Sequence, residues 1–196
     1  MKVSVVVPVY NEEANLDEFL RRLLAVMDGR GGPYEVIVGD DGSRDRSIDI
    51  LKSWAARRQD VVRVLELSRN FGQHPAILAG FRDVTGDVAV TLDADLQNPP
   101  EEIPKLLAKI DEGYDVVGGV RKNRRDSWPR RAASALVNRA TVVITRMRLT
   151  DFGCMLRAYS RGVVDEINRC DEASTFIPAL GQSFARRPVE IDVAHA

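Results

Sequence analysis

The sequence predicts an α/β fold: a mostly parallel central sheet with helices on both faces. Three observations carry that expectation. Strand-like and helix-like segments alternate along the chain. The first strand, Val3–Val9, is a continuous valine-rich run, as a strand buried on both sides requires. The chain has 196 residues, the size of one such domain, with no internal repeat, low-complexity stretch or dividing linker. Residues 1–196 therefore read as one domain.

The elements follow in order. Asn11 stands where it would cap the first helix, in which Leu16, Phe19, Leu20, Leu23, Leu24 and Met27 recur at helical spacing. Gly31-Gly32-Pro33 breaks the chain before a second strand at residues 35–38. Ser43 or Asp45 opens the next helix, with Ile48, Leu51 and Trp54 on its inner face. Residues 61–67 read as a strand, 75–84 as a helix and 88–92 as a strand. A helix starts from Pro100, with proline near its first turn, and residues 114–120 form a fifth strand.

Composition excludes several classes. With 44% apolar and 29% charged residues the chain is not a disordered one. Cys154 and Cys170 are the only cysteines and have no partners at metal-ligand spacing, so they read as reduced thiols of a cytosolic protein. No run approaches the roughly 18–20 apolar residues of a membrane span. The first strand is too short for a signal peptide, contains Pro8 and lacks a small-residue cleavage site. The chain is expected to be cytoplasmic, touching a membrane at most.

The net charge of −1 hides an uneven distribution, because residues 121–148 carry nine Lys and Arg against one acid, Asp126. At about 100° per residue, Ala133, Leu136, Val137, Ala140, Val143, Ile144 and Met147 share one helix face. Arg131, Arg139 and Arg146 cluster opposite. This is either a core-packing helix with a solvated basic face, or an interfacial helix and arginine platform for phosphates. Sparse aromatic interleaving argues against a nucleic-acid partner.

The strongest chemical signal is Asp93-Ala94-Asp95, directly after the strand at 88–92. Residues i and i+2 of an extended chain face one side. In a parallel sheet that side is the crevice at the carboxyl ends of the strands, where ligands bind. Two hard oxygen ligands suit Mg²⁺ or Mn²⁺ bridged to a diphosphate, and such an ion offsets charge on a departing nucleoside diphosphate. Asp40-Asp41-Gly42-Ser43 closes the second strand, where a carboxylate can accept from a base N–H or a ribose hydroxyl, or serve turn and capping chemistry instead. Pro8-Val9-Tyr10-Asn11-Glu12 ends the first strand and offers a tyrosine for stacking. No Gly-x-Gly-x-x-Gly follows that strand, which leaves phosphate binding to metal and arginines. His74 reads as structural, Phe152 and Met155 as core, and Trp128 as either interfacial or surface packing.

Together Val3-Ser4-Val5-Val6-Val7-Pro8-Val9-Tyr10-Asn11-Glu12, Asp40-Asp41-Gly42-Ser43, Ser68-Arg69-Asn70-Phe71-Gly72 and Asp93-Ala94-Asp95-Leu96-Gln97 resemble the family 2 glycosyltransferases, in their polyprenyl-phosphate branch. Arg121-Lys122-Asn123-Arg124-Arg125-Asp126-Ser127-Trp128, Asp151-Phe152-Gly153-Cys154-Met155-Leu156-Arg157-Ala158-Tyr159 and Ser174-Thr175-Phe176-Ile177-Pro178 extend the resemblance over essentially the whole chain. The resemblance implies a GT-A fold and an inverting transfer from a nucleotide-diphosphate sugar, with uridine favoured, to a polyprenyl phosphate such as undecaprenyl phosphate. It implies that Pro8, Tyr10, Glu12, Asp41 and Asp93 line the donor site, and that Asp93, Asp95 and Gln97 hold Mg²⁺ or Mn²⁺. Arg121, Arg131 and Ser134 would contact phosphates, and Asp95 and Asp151 would serve catalysis. The family continues past the position of Ala196 into membrane helices, so the expected location is the cytoplasmic face of the inner membrane, with a homo-oligomer as an option.

A phosphate monoester has a second pKa of about 6. It is already an anionic nucleophile at neutral pH and needs positioning more than deprotonation. Asp151 then orients the acceptor or acts as a base, or merely caps a turn before a strand. Two alternatives stay open: a soluble glycosyltransferase with a saccharide or protein acceptor, and a nucleotide-sugar-binding module without turnover.

Overall fold

The computed structural model describes residues 1–121, 151, 153–170 and 176–195. The basic segment from residue 122 to 148, including Arg131, Ser134 and the helix expected there, lies outside the described residues. Strand β1 (Val3–Val9) is buried along its whole length and occupies the middle of the sheet. It pairs in parallel with β2 (Tyr34–Asp40) on one side and with β4 (Val88–Thr91) on the other. Strand β3 (Val62–Glu66) extends the parallel array beyond β2.

Beyond β4 the sheet changes character. Strand β6 (Arg157–Ser160) runs antiparallel between β4 and β5 (Val116–Arg121), and β7 (Pro188–Val193) pairs in parallel with β5. The resulting order is β3-β2-β1-β4-β6-β5-β7. The five strands expected from apolar runs are present, and β6 and β7 complete the sheet.

Helices cover both faces, as expected. Valines 3, 5, 7 and 9 of β1 pack with α1 (Leu16–Arg30), α2 (Ser47–Arg57) and α4 (Ile103–Asp111), which follows a short 3₁₀ turn at Pro100–Glu102. Val6 faces the other way, toward α3 (Gln73–Arg82), α5 (Arg161–Arg169) and α6 (Ile177–Phe184). All six apolar residues that announced α1 are buried. Among the described residues no helix is long and apolar enough to cross a membrane.

Two local expectations are corrected. Asn11 does not cap α1, which begins at Leu16 after a turn in which the Asn15 N–H donates to the Glu12 carbonyl. Asn11 instead adopts φ 55°, a left-handed conformation that asparagine tolerates. The third helix starts at Gln73 rather than Pro75, since proline fits within a helix's first turn, where amide hydrogens lack internal partners.

Leu23 is fully buried between α1 and the sheet. Leu23→Ala is expected to lower unfolding free energy by about 2–5 kcal/mol. Urea titration at constant m-value measures this, and a midpoint equal to the parent's would contradict the packing of α1.

Candidate active site

Chain order reverses direction at β1: the next two strands are added on one side, and the chain then returns to place β4 on the other. Such a switch opens a crevice beyond the strands' carboxyl ends, because the connecting loops leave in opposite directions. A cleft of about 310 Å³ lies there, walled by Pro8, Tyr10, Glu12, Asp41, Asp93 and Asp95. These residues leave three separate strand ends.

Ala94 is buried in the core, which turns its two neighbours toward the cleft. Leu96 then adopts φ 63°, a strained value for leucine that bends the chain sharply. The bend brings the Gln97 N–H to Asp95 Oδ1 at 3.0 Å. The Gln97 side chain is exposed and stands outside the cleft wall. Gln73 Nε2 donates to Asp93 Oδ1. Among the described residues, Oδ2 of both aspartates accepts no hydrogen bond.

Burial, then the charge of Asp95, push the Asp93 carboxyl up to about 6, with Glu12 adding to the effect. The Gln73 bond and the Arg121 charge oppose it. Two carboxylates with free oxygens, held near each other against their repulsion, fit a hard divalent cation. Among the described residues no third carboxylate, histidine or cysteine joins them in a ligand cluster. The remaining coordination positions of such an ion would fall to ligand oxygens or water.

On the opposite wall Asp41 is buried, and its two oxygens accept the N–H groups of Phe71 and Gly72, each at 2.8 Å. Asp41 thus clamps the β3–α3 loop, and a ligand donor would meet its remaining lone pairs. Gly42 is required beneath that loop: φ is 70°, and an added Cβ would lie 2.6 Å from the Arg69 carbonyl carbon. The first-strand loop is locked to the same region. Asn11 and Glu12 donate backbone N–H to the Ser43 and Ser47 hydroxyls, while Glu13 donates to Asp45. In return Arg44 and Arg46 donate backbone N–H to Asn11 Oδ1 and Glu13 Oε2. Asp45 also accepts the Ser47 N–H, so of the two proposed helix openers it is Asp45 that serves α2. Tyr10, 40% exposed, is left with its ring at the rim.

Beyond Asp93 the structure brings Arg121 and Asp151 together. Arg121 Nε and Nη2 meet the two Asp151 oxygens at 2.8 and 2.9 Å, and the Gly153 N–H adds a third bond at 3.0 Å. Burial alone would raise the Asp151 pKa. The Arg121 hydrogen bonds and charge, with the backbone donors, outweigh burial and hold it below the usual carboxylate range. A carboxylate so held is a weak proton acceptor and a firm anchor for Arg121.

Asn70, Gly72 and Gln73 also line the cleft, and no role was read for them in sequence. Their signal was present in the Ser68–Gly72 motif and the helix start after it. His74 turns away: its Nδ1 is buried without a partner among the described residues, its ring meets Phe176 edge-on at 5.1 Å, and burial lowers its pKa.

A carboxylate-lined crevice at the switch point of such a sheet defines an α/β protein of the nucleotide-diphospho-sugar, GT-A class. The glycosyl transferase family 2 model matches residues 4–167, and the chain belongs to that family. It is 54% identical over 195 residues to undecaprenyl-phosphate 4-deoxy-4-formamido-L-arabinose transferase of Enterobacter sp. (strain 638), a match covering 100% of this chain and 60% of that relative. The chain thus spans well under two thirds of the relative's length. Two solved structures share the fold. Glucosyl-3-phosphoglycerate synthase from Mycobacterium tuberculosis, with Mn²⁺, UDP and phosphoglyceric acid, superposes with a TM-score of 0.72 at 18% identity, covering 100% of this chain and 70% of that one. Mannosyltransferase PcManGT from Pyrobaculum calidifontis, with GDP-Man and Mn²⁺, gives 0.69 at 22% identity, covering 99% and 56%.

The raised Asp93 pKa means that the folded state holds this proton more tightly than the unfolded chain. Ionising it therefore costs nothing below the ordinary value of 3.8 and its full amount above about 6. Asp93→Asn, which keeps an acceptor for Gln73, should raise the melting temperature at pH 8 in chelator and converge with the parent near pH 4. A fall in melting temperature at pH 8 would refute the electrostatic account.

Proposed function

We propose that the chain is a metal-dependent, inverting glycosyltransferase domain. It moves a sugar from a UDP-sugar to a polyprenyl phosphate such as undecaprenyl phosphate, in lipid-linked sugar synthesis. The observation that carries this reading is the convergence of Pro8, Tyr10, Glu12, Asp41, Asp93 and Asp95 on one cleft at the sheet's switch point. The relative's name supports the acceptor class, and the nucleotide and Mn²⁺ complexes of the fold neighbours support the donor and ion.

In this reading Tyr10 offers its exposed ring to the base, and Asp41 with the Phe71–Gly72 backbone shapes the nucleoside wall. Asp93 and Asp95 hold Mg²⁺ or Mn²⁺ through their free oxygens, and Gln97 contributes by fixing Asp95 through its backbone. When bound, the ion neutralises charge on the departing diphosphate. Arg121, with Arg131 and Ser134, neutralises and orients the acceptor phosphate, whose oxygen attacks the anomeric carbon opposite the leaving group. Asp151 holds Arg121 in place. Its lowered pKa favours a phosphate acceptor, which needs no base, over a hydroxyl acceptor, which does. The basic segment 121–148 faces the cytoplasmic surface of the membrane.

Calorimetric titration with a panel of nucleotide-sugars should show binding of a UDP-sugar that strengthens with Mn²⁺. Asp95→Ala should abolish the Mn²⁺-dependent part while the melting temperature stays near the parent's. Equal donor affinity in this variant would sink the metal assignment. Asp151→Asn should weaken acceptor use and spare donor binding; full retention of acceptor kinetics would remove Asp151 from the site.

A further inference from the structure

Arg157 is fully buried in β6, and among the described residues it makes no ion pair. Burying a cation without an acid is unfavourable unless its donors are satisfied, so a guanidinium retained there calls for a reason. Its Nε donates to the Cys154 carbonyl at 2.9 Å and its Nη2 to the Asp151 carbonyl at 2.5 Å. Nη1 is buried and has no hydrogen-bond partner among the described residues. The neighbouring strand makes room: Gly118 pairs with Arg157, and a Cβ there would lie 2.8 Å from Nη1. Space is thus reserved for this side chain.

The two carbonyls bracket the turn that leaves the cleft for the sheet. At one end Asp151 grips Arg121, whose charge is felt at Asp93. At the other, Cys154 Sγ lies 3.6 Å from Asn98 Oδ1, on the loop that follows Asp95. Both of these contacts are buried or half-buried. A rigid fork beneath the turn therefore sets the relation between the acceptor arginine and the metal loop.

We infer that Arg157 is a positioning residue for acceptor transfer: it fixes the Asp151–Cys154 turn from inside the sheet and thereby aims Arg121. This rests on the function proposed above. If the arginine served only stability, an apolar replacement of similar length would leave acceptor kinetics untouched, since exchanging buried charges for packed apolar groups is often neutral.

The test compares Arg157→Met and Arg157→Lys with the parent chain, alone and in an Asp151→Asn background. Arg157→Met is expected to lower transfer to polyprenyl phosphate by about 100-fold, as small misplacements of positioned groups do, while donor affinity stays within about twofold. Arg157→Lys, which keeps the charge and one donor direction, should recover part of the loss and stands in if the methionine variant does not fold. With Asp151→Asn present, the further loss should be small, because both changes act through one turn. Losses that multiply, or donor binding that falls in parallel, would overturn the inference. Amide exchange at Gly153, whose N–H bonds Asp151, gives a readout independent of turnover. Protection should drop by about tenfold or more in Arg157→Met, and unchanged protection would also overturn it. A parent chain that binds donor but never transfers would defeat the proposed function instead, leaving the exchange result to decide on Arg157.

Discussion

Two negative charges at the end of β4 impose the condition that the rest of the site answers. Strand β4 is short and buried at every residue, flanked by β1 and β6, so its end cannot drift. The core anchors Ala94, and the strained Leu96 turns the chain back. The aspartates therefore stay close despite their repulsion, and the penalty falls on the ionised form of Asp93. A site that concentrates charge in this way offers the hard oxygen donors that a divalent cation takes.

The two sides of the cleft are stabilised by different means. The side that holds Asp41 is a lattice of short backbone-to-side-chain bonds, in which the loops after β1 and β2 satisfy each other's polar groups and Asp41 secures the loop after β3. Such reciprocal bonding leaves little freedom to be lost on binding. The other side hangs on a chain of charged groups, from Arg121 through Asp151 to the buried Arg157. One wall is thus held by neutral and backbone hydrogen bonds, and the other by charge.

Much of this was readable from residues alone, for physical reasons. Strands buried on both faces must be apolar throughout, which made β1 and β4 plain, and the periodicity of α1 named its buried residues. The motifs Asp40–Ser43 and Asp93–Asp95 stood at strand ends, and topology carried them to a common cleft. Strand β6 was foreshadowed only as a strand without bounds after the Asp151 turn, because four residues with an arginine among them present no apolar run. Strand β7 did carry a signal, Val189, Ile191 and Val193 alternating with acids, that a search for continuous apolar runs passes over. Asn11 misled because a left-handed residue and a helix cap draw on the same polar side chains. Gln73 and Arg157 carry no role in the sequence because their partners, Asp93 and the Asp151 and Cys154 carbonyls, are set by the fold and not by residue type.

The wedging of β6 between β4 and β5 also shapes how the chain is born. The parallel pairs β1–β2, β2–β3 and β1–β4 need nothing made after β4, so these four strands can assemble as they leave the ribosome. Strand β5 is made well before β6, yet its sheet partners among the described residues are β6 and β7. Until Arg157–Ser160 emerges, β5 lacks its sheet neighbours and the open edge of β4 remains a sticky template. The half of the molecule that carries Arg121 and Asp151 is thus the last to be assembled, and the nascent chain is most exposed to misassociation during that interval.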